Sequence, residues 1–214
     1  MTSIAELLND YSSVRKQHFW YWFSGSNFSN YASRGWTLTD KTSTNASEQR
    51  MSPSVDGGYI FEAVNGHQST LTFNNIRQFA YNGSGFIGVC KRKNSSGNFG
   101  CGLKGDKATA DGHSGFRNGA RLIFKTGTSD IQAQSADTDG VTNTDTSVAS
   151  SDTWRLFSAT LASSSIKYFV DGVLEVTHTS SDQIPDAKLQ PYVYAEGQGA
   201  NSGGQIRYFE AYNT

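Results

Sequence analysis

The chain has 214 residues, a formal net charge of -1 and 36% hydrophobic content, with 13 Phe, 10 Tyr and 4 Trp beside 22 Gly and only 3 Pro. This is enough apolar material for a single domain with a real core, which excludes a disordered chain, and the near-neutral charge excludes a long-range field aimed at nucleic acid or an anionic membrane. No apolar run approaches the ~20 residues needed to span a bilayer, which excludes membrane insertion by a helix, and the amino terminus lacks the zones of a cleaved export signal.

Ser3 and Glu6 are spaced as a capping box, and Ile4, Leu7, Leu8, Tyr11 and Val14 recur at helical spacing. Residues 1–16 are therefore expected to form a short amphipathic helix or arm ahead of one domain at 17–214. That helix either packs on its own domain or docks on a neighbouring subunit, where it would support a homo-oligomer or particle. Next, HFWYWF at 18–23 is an aromatic first strand suited to pair with the closing run QIRYFEAY. Strands follow at Trp36–Thr39 and Tyr59–Val64, with a polar, Pro53-containing loop between them, and then a half-buried alternation over Thr70–Phe79.

GFIGVCKRK and GNFGCGLKG read as a hairpin around Asn94–Gly97, which places Cys90 opposite Cys101 as two buried thiols or as a cross-strand disulfide. Lys91, Arg92 and Lys93 alternate faces of a strand, so this basic run is no phosphate site. After the polar stretch Gly105–Gly119 come strands at Arg121–Phe124 and Asp130–Gln134. Residues 136–151 are the longest polar run and read as a surface excursion.

The strongest local signal is KYFV-DG-VLEV, a hairpin with Asp171-Gly172 in a two-residue type I′ turn. Counting outward pairs Phe169 with Leu174 and Tyr168 with Glu175, so Tyr168 and Glu175 share one face, taken here as the open one. Phe157, Ala159 and Leu161 alternate with polar residues in the strand before it. With the Trp154 start, Ile184-Pro185, Leu189-Gln190-Pro191 and the closing IRYFEAY, residues 152–214 resemble the concanavalin A-like lectin and glucanase family, and within it the laminin-G-like jelly rolls. The fold class expected is all-β: an antiparallel two-sheet jelly-roll sandwich with a short amino-terminal helix.

The glucanase branch of that family carries Glu-x-Asp-x-Glu along one strand, so that all three acids face the glycosidic bond. None of the six glutamates starts such a pattern. A pair such as Glu175 with Glu196 would have to be assembled between strands. Asp111, His113 and Ser114 are too close in sequence for a hydrolase relay. Asp137, Asp139, Asn143 and Asp145 offer hard oxygen donors, and calcium is the one cofactor they would suit, although the spacing departs from known calcium loops.

For sugar, the useful parts are planar aromatics beside amides and carboxylates. Alternation places Tyr192, Tyr194 and Glu196 on one face of LQPYVYAE and Val193 and Ala195 on the other, and Tyr168 with Glu175 adds to this set. The expected protein is thus not an enzyme but a lectin-like surface recognition module for glycans or a protein surface. The runner-up is a structural, adhesion or decoration subunit of a virus particle. Its location would be extracellular or on a virion.

Overall fold

The computed structural model describes residues 17–23, 35–40, 49–54, 57–63, 66–73, 78–105, 116–137, 140–198 and 202–213. The expected helix with Ile4, Leu7, Leu8, Tyr11 and Val14 lies outside these residues, as does Asp139. Among the described residues no helix is long and apolar enough to cross a membrane.

Strands hold 68% of the described residues. In order these are β1 (Gln17–Trp22), β2 (Trp36–Asp40), β3 (Gln49–Pro53), β4 (Tyr59–Ala63) and β5 (Gln68–Phe73). The middle of the chain gives β6 (Ser84–Arg92), β7 (Gly97–Lys104), β8 (Gly119–Phe124), β9 (Asp130–Ala136) and β10 (Val141–Ala149). Then come β11 (Arg155–Ala162), β12 (Ser165–Val170), β13 (Val173–His178), β14 (Gln190–Gly197) and β15 (Ser202–Asn213).

They form two antiparallel sheets. The eight-stranded sheet runs β13-β12-β11-β6-β15-β4-β3, with β1 also paired to β15, and the seven-stranded sheet runs β10-β9-β8-β7-β14-β5-β2. The expected pairing of the first strand with the last is present, Gln17 opposite Asn213 through Trp22 opposite Tyr208. The core between the layers takes Phe86, Phe157, Tyr168 and Phe209 from the larger sheet and Phe99, Leu122, Ala133 and Val193 from the smaller. This is the two-layer burial that period-2 alternation requires.

Four local expectations change. The segment read as a loop around Pro53 contains β3, which among the described residues pairs only with β4; proline is tolerated there because an edge strand need not donate on both sides. Residues 141–149, read as part of a polar excursion, are the opposite kind of edge, β10, whose polar residues remain largely exposed. Strand β5 is not half-buried, for Thr70 and Thr72 are as buried as Leu71, which means that both of its faces are covered.

The fourth change concerns the cysteines. Strands β6 and β7 are not a hairpin, because they belong to different sheets. β6 is already hydrogen-bonded on both sides, to β11 and β15, and β7 to β8 and β14, so residues 93–96 carry the chain across the sandwich. Arg92 braces the crossing by donating from Nε to the carbonyl of Asn94 at 2.6 Å and from Nη2 to that of Ser95 at 2.9 Å. Cys90 and Cys101 therefore meet between the layers, with their sulfurs 3.5 Å apart, as free thiols.

Candidate functional site: the outer face of the seven-stranded sheet

The Asp171-Gly172 turn forms as its residue types dictate, with φ of 51° and 83°. Asp171 fixes it to β11, accepting from Arg155 Nη1 at 2.7 Å and from the Leu156 amide at 2.9 Å. The register beyond it is not the simple one. Phe169 stands opposite Leu174, but Tyr168 stands opposite Val176, leaving Glu175 as the extra residue of a bulge. Tyr168 and Glu175 do not share a face. Tyr168 points into the core, where its hydroxyl donates to the Gln134 carbonyl at 2.7 Å, and burial holds its pKa far above the ordinary tyrosine value. Phe169 and Leu174 face outward instead, Phe169 half-buried and Leu174 exposed.

Glu175 lies at the rim, where Oε2 accepts from the amide and hydroxyl of Ser147 on β10. Glu196 is on β14, in the middle of the other sheet, so the two glutamates are not brought together as an acid pair.

Tyr192, Tyr194 and Glu196 do share one face of β14, opposite Val193 and Ala195, as the alternation requires. That is the outer face of the seven-stranded sheet. One row across it reads Asn143, Gln134, Arg121, Gly102, Tyr192 on β10, β9, β8, β7 and β14. A hydrogen-bond chain follows the row: Gln134 Nε2 donates to Asn143 Oδ1, Arg121 Nε donates to Gln134 Oε1 at 2.6 Å, and Arg121 Nη1 donates to the Tyr192 hydroxyl at 2.9 Å. Gly102, between Arg121 and Tyr192, makes the last link feasible, since any side chain there would occupy the path of the guanidinium, with Arg121 Cβ only 2.7 Å from where its Cβ would sit.

Arg121 is buried between rings. Its guanidinium carbon lies 4.2 Å from the Phe116 centroid and 4.5 Å from that of Tyr194, and Tyr192 stacks beside Tyr194 at 6.1 Å and 17°. These stacked contacts are worth more here than at an exposed site because water does not compete. The neighbouring row carries Asp145, Gln132, Ile123, Gly100, Tyr194 and Thr70. Gln132 Nε2 donates to Asp145 Oδ1 at 2.6 Å, whereas the buried Gln132 Oε1 and Thr70 Oγ1 have no hydrogen-bond partner among the described residues. Glu196 accepts from Tyr194 at 2.7 Å and Asn98 on Oε2, and from Gln68 at 3.0 Å on Oε1. Burial raises the Tyr194 pKa well above the usual value, so this hydroxyl remains a donor.

The sequence therefore located this face through β14 but missed Arg121, Gln132, Gln134 and Asn98. Their period-2 placement, Gln132 with Gln134 and Asn98 in phase with Gly100 and Gly102, was the available signal. The tyrosines form its floor rather than an open stacking platform. The groups that reach solvent are Asn143 and Asp145, with Glu196 half-buried.

The proposed calcium ligands are spread out. Asp137 Oδ1 accepts from the Gly140 amide, while Asn143 and Asp145 lie along an extended strand and bind glutamine amides. Asp145 is four strand residues beyond Val141, roughly 13 Å, so Asp137 and Asp145 do not converge on one ion with 2.3–2.6 Å ligand distances. No group of three or more His, Cys, Asp or Glu with metal-holding geometry occurs among the described residues.

Sandwich and register together define an antiparallel two-sheet jelly roll. Among solved structures the chain is similar to a Crh5 transglycosylase in complex with NAG, at 10% identity over 92% of this chain and 84% of that one, TM-score 0.62. It is similar also to a Bacillus licheniformis beta-glucanase, at 15% identity over 92% and 98% with a TM-score of 0.60. A third likeness is to the potassium-bound carbohydrate recognition domain of Emp46p, at 12% identity over 89% and 93% with a TM-score of 0.58. At such identities the likeness is one of fold. No protein-family model matches the chain, and no curated protein sequence matches it.

Proposed function

We propose that the protein is a non-catalytic recognition module that binds saccharides on the outer face of its seven-stranded sheet. The observation that carries this reading is the amide, aromatic and carboxylate lattice of that face, in which Asn143, Asp145 and Glu196 reach solvent over a floor of Gln132, Gln134, Arg121, Tyr192 and Tyr194. Sugar hydroxyls are recognised by such planar, oriented donors and acceptors.

Two features favour binding over hydrolysis. Each described strand carries at most one carboxylate, so none presents acids at alternate positions. The central strand β7 offers Asn98, Gly100, Gly102 and Lys104 to this face. Two of the three solved structures named above are called a transglycosylase and a glucanase, and the third a carbohydrate recognition domain. Retaining and inverting hydrolysis both need two carboxyl groups flanking one bond, whereas Asp145 on β10 and Glu196 on β14 have β9, β8 and β7 between them.

The test is a broad glycan array followed by titration of the best ligand. Wild-type protein should bind, N143A/D145A should bind at least tenfold more weakly, and W20A/W22A, on the opposite sheet, should bind as wild type. Failure of folded protein to bind any glycan would overturn the reading, loss of binding only in W20A/W22A would overturn its location, and release of reducing sugar from a bound polysaccharide would overturn its non-catalytic part.

A further inference from the structure

Cys90 and Cys101 are fully buried, come from different sheets and have their sulfurs 3.5 Å apart. Two layers of a sandwich normally stand about 10 Å apart, too far for two cysteine side chains to bridge without local closeness. Gly88 supplies that closeness. It precedes Cys90 by two residues on the same inward face of β6, and a Cβ at Gly88 would fall 2.3 Å from Cys101 Sγ and 3.7 Å from Cys90 Sγ. The space a side chain would fill is thus given to the two sulfurs, and both of the layers' central strands are held in register around it.

We infer that Cys90 and Cys101 are a modification site: when the chain folds in the presence of a small-molecule disulfide, they become a cystine that ties the two sheets together. The chemistry balances in two exchanges. The thiolate of one cysteine attacks a sulfur of oxidised glutathione, whose S–S bond breaks to release one glutathione thiol. The second cysteine then attacks the protein-side sulfur of the mixed disulfide and releases the other. Two protein thiols lose two protons and two electrons, and one glutathione disulfide gains them.

In the folded, reduced protein this exchange is blocked. No solvent reaches either sulfur, and burial together with the Cys101 contact pushes the Cys90 thiol up, which removes thiolate. The bond is therefore made during folding, before β7 closes over β6, and once made is shielded from reductant in the same way. The redox state of the compartment in which the chain folds is recorded in the finished protein.

The test is refolding from denaturant in a glutathione redox buffer, in parallel with refolding in excess reductant. The oxidised sample should remain monomeric on a non-reducing gel, be lighter by two hydrogens in intact mass and titrate no thiols when denatured. Its thermal midpoint should be higher on the order of 5–10 °C than that of the reduced sample. C90A and C101A should each show no redox-dependent shift, and because they are compared with themselves in the two buffers, their own destabilisation does not confuse the result. Two titratable thiols after refolding in oxidant, or only mixed disulfides and intermolecular dimers, would overturn the inference.

Discussion

Arg121 is the residue on which the outer face of the smaller sheet depends. Its charge is buried and held by Gln134, Tyr192 and two ring faces, so replacement by Met would take a charged donor from Gln134 Oε1 and from the Tyr192 hydroxyl. A hydrogen bond to a charged group is worth about 1.5–3 kcal/mol, and R121M should lose roughly 2–4 kcal/mol in urea unfolding; R121K should not recover it, because an ammonium cannot span both partners. A loss under half a kcal/mol would mean that the network is ornamental. In the sequence Arg121 opens an apolar strand, and nothing local says that it is buried, since its partners come from 13 and 71 residues away. His178 shows the same limit. No motif in the sequence marks it, yet it is buried against Tyr168, with Nδ1 2.6 Å from Ser135 Oγ and Nε2 3.0 Å from Thr144 Oγ1. Burial lowers its pKa to about 4 from 6.5. Between those values only the unfolded chain takes up the proton, so this contribution to stability is complete above pH 6.5 and is lost as the pH falls toward 4, by up to about 3 kcal/mol. Carboxylates also titrate in this range, so the quantity to measure is the difference between wild type and H178Q: the wild type should lose more stability between pH 7 and 4, and parallel curves would refute the assignment.

At the scale of elements, what could be read locally was read well and what depends on partners was not. The Asp171-Gly172 turn is a property of two residues, and it forms; the bulge at Glu175 depends on how β13 meets the rest of the sandwich, and it puts Val176 opposite Tyr168 in place of Glu175. The same distinction explains β6 and β7. Symmetric apolar runs around a short polar link look like a hairpin, but Gly88, Gly100 and Gly102 mark close approaches to another layer or strand, and the intended neighbours were already in place. The close approach at Gly88 makes a sharp prediction. G88A would drive its methyl into Cys101 Sγ and should cost roughly 1–3 kcal/mol in chemical unfolding of the reduced protein. Removing that sulfur should relieve the clash, so G88A/C101A should be more stable than the sum of the two single changes implies. Strict additivity would show that Gly88 is not there to make room for Cys101.

For the whole molecule, the sandwich has a strong middle and a polar margin. Strands β6, β15, β7 and β14 are flanked on both sides and their inward residues are buried, whereas β10 and β13 end their respective sheets and expose half or more of their residues. That general shape was legible because alternation over many strands with few prolines admits little else; which strand belonged to which sheet was not, because pairing partners lie far apart in sequence and alternation carries no partner label. At the margin the two sheets meet through side chains, His178 with Ser135 and Thr144, and Glu175 with Ser147, in place of a backbone ladder. Side-chain contacts of this kind can open without the middle opening, since each contributes only about 1 kcal/mol and none holds a strand through successive amides. Native-state hydrogen exchange should therefore rank amides of β10 and β13 as least protected among paired strands and those of β6, β15, β7 and β14 as most protected. H178Q should speed exchange further at β10 and β13 while leaving the central four strands unchanged. If β10 and β13 instead exchanged only with global unfolding, the margin would be as firmly held as the middle, and the polar contacts across it would be part of one cooperative unit.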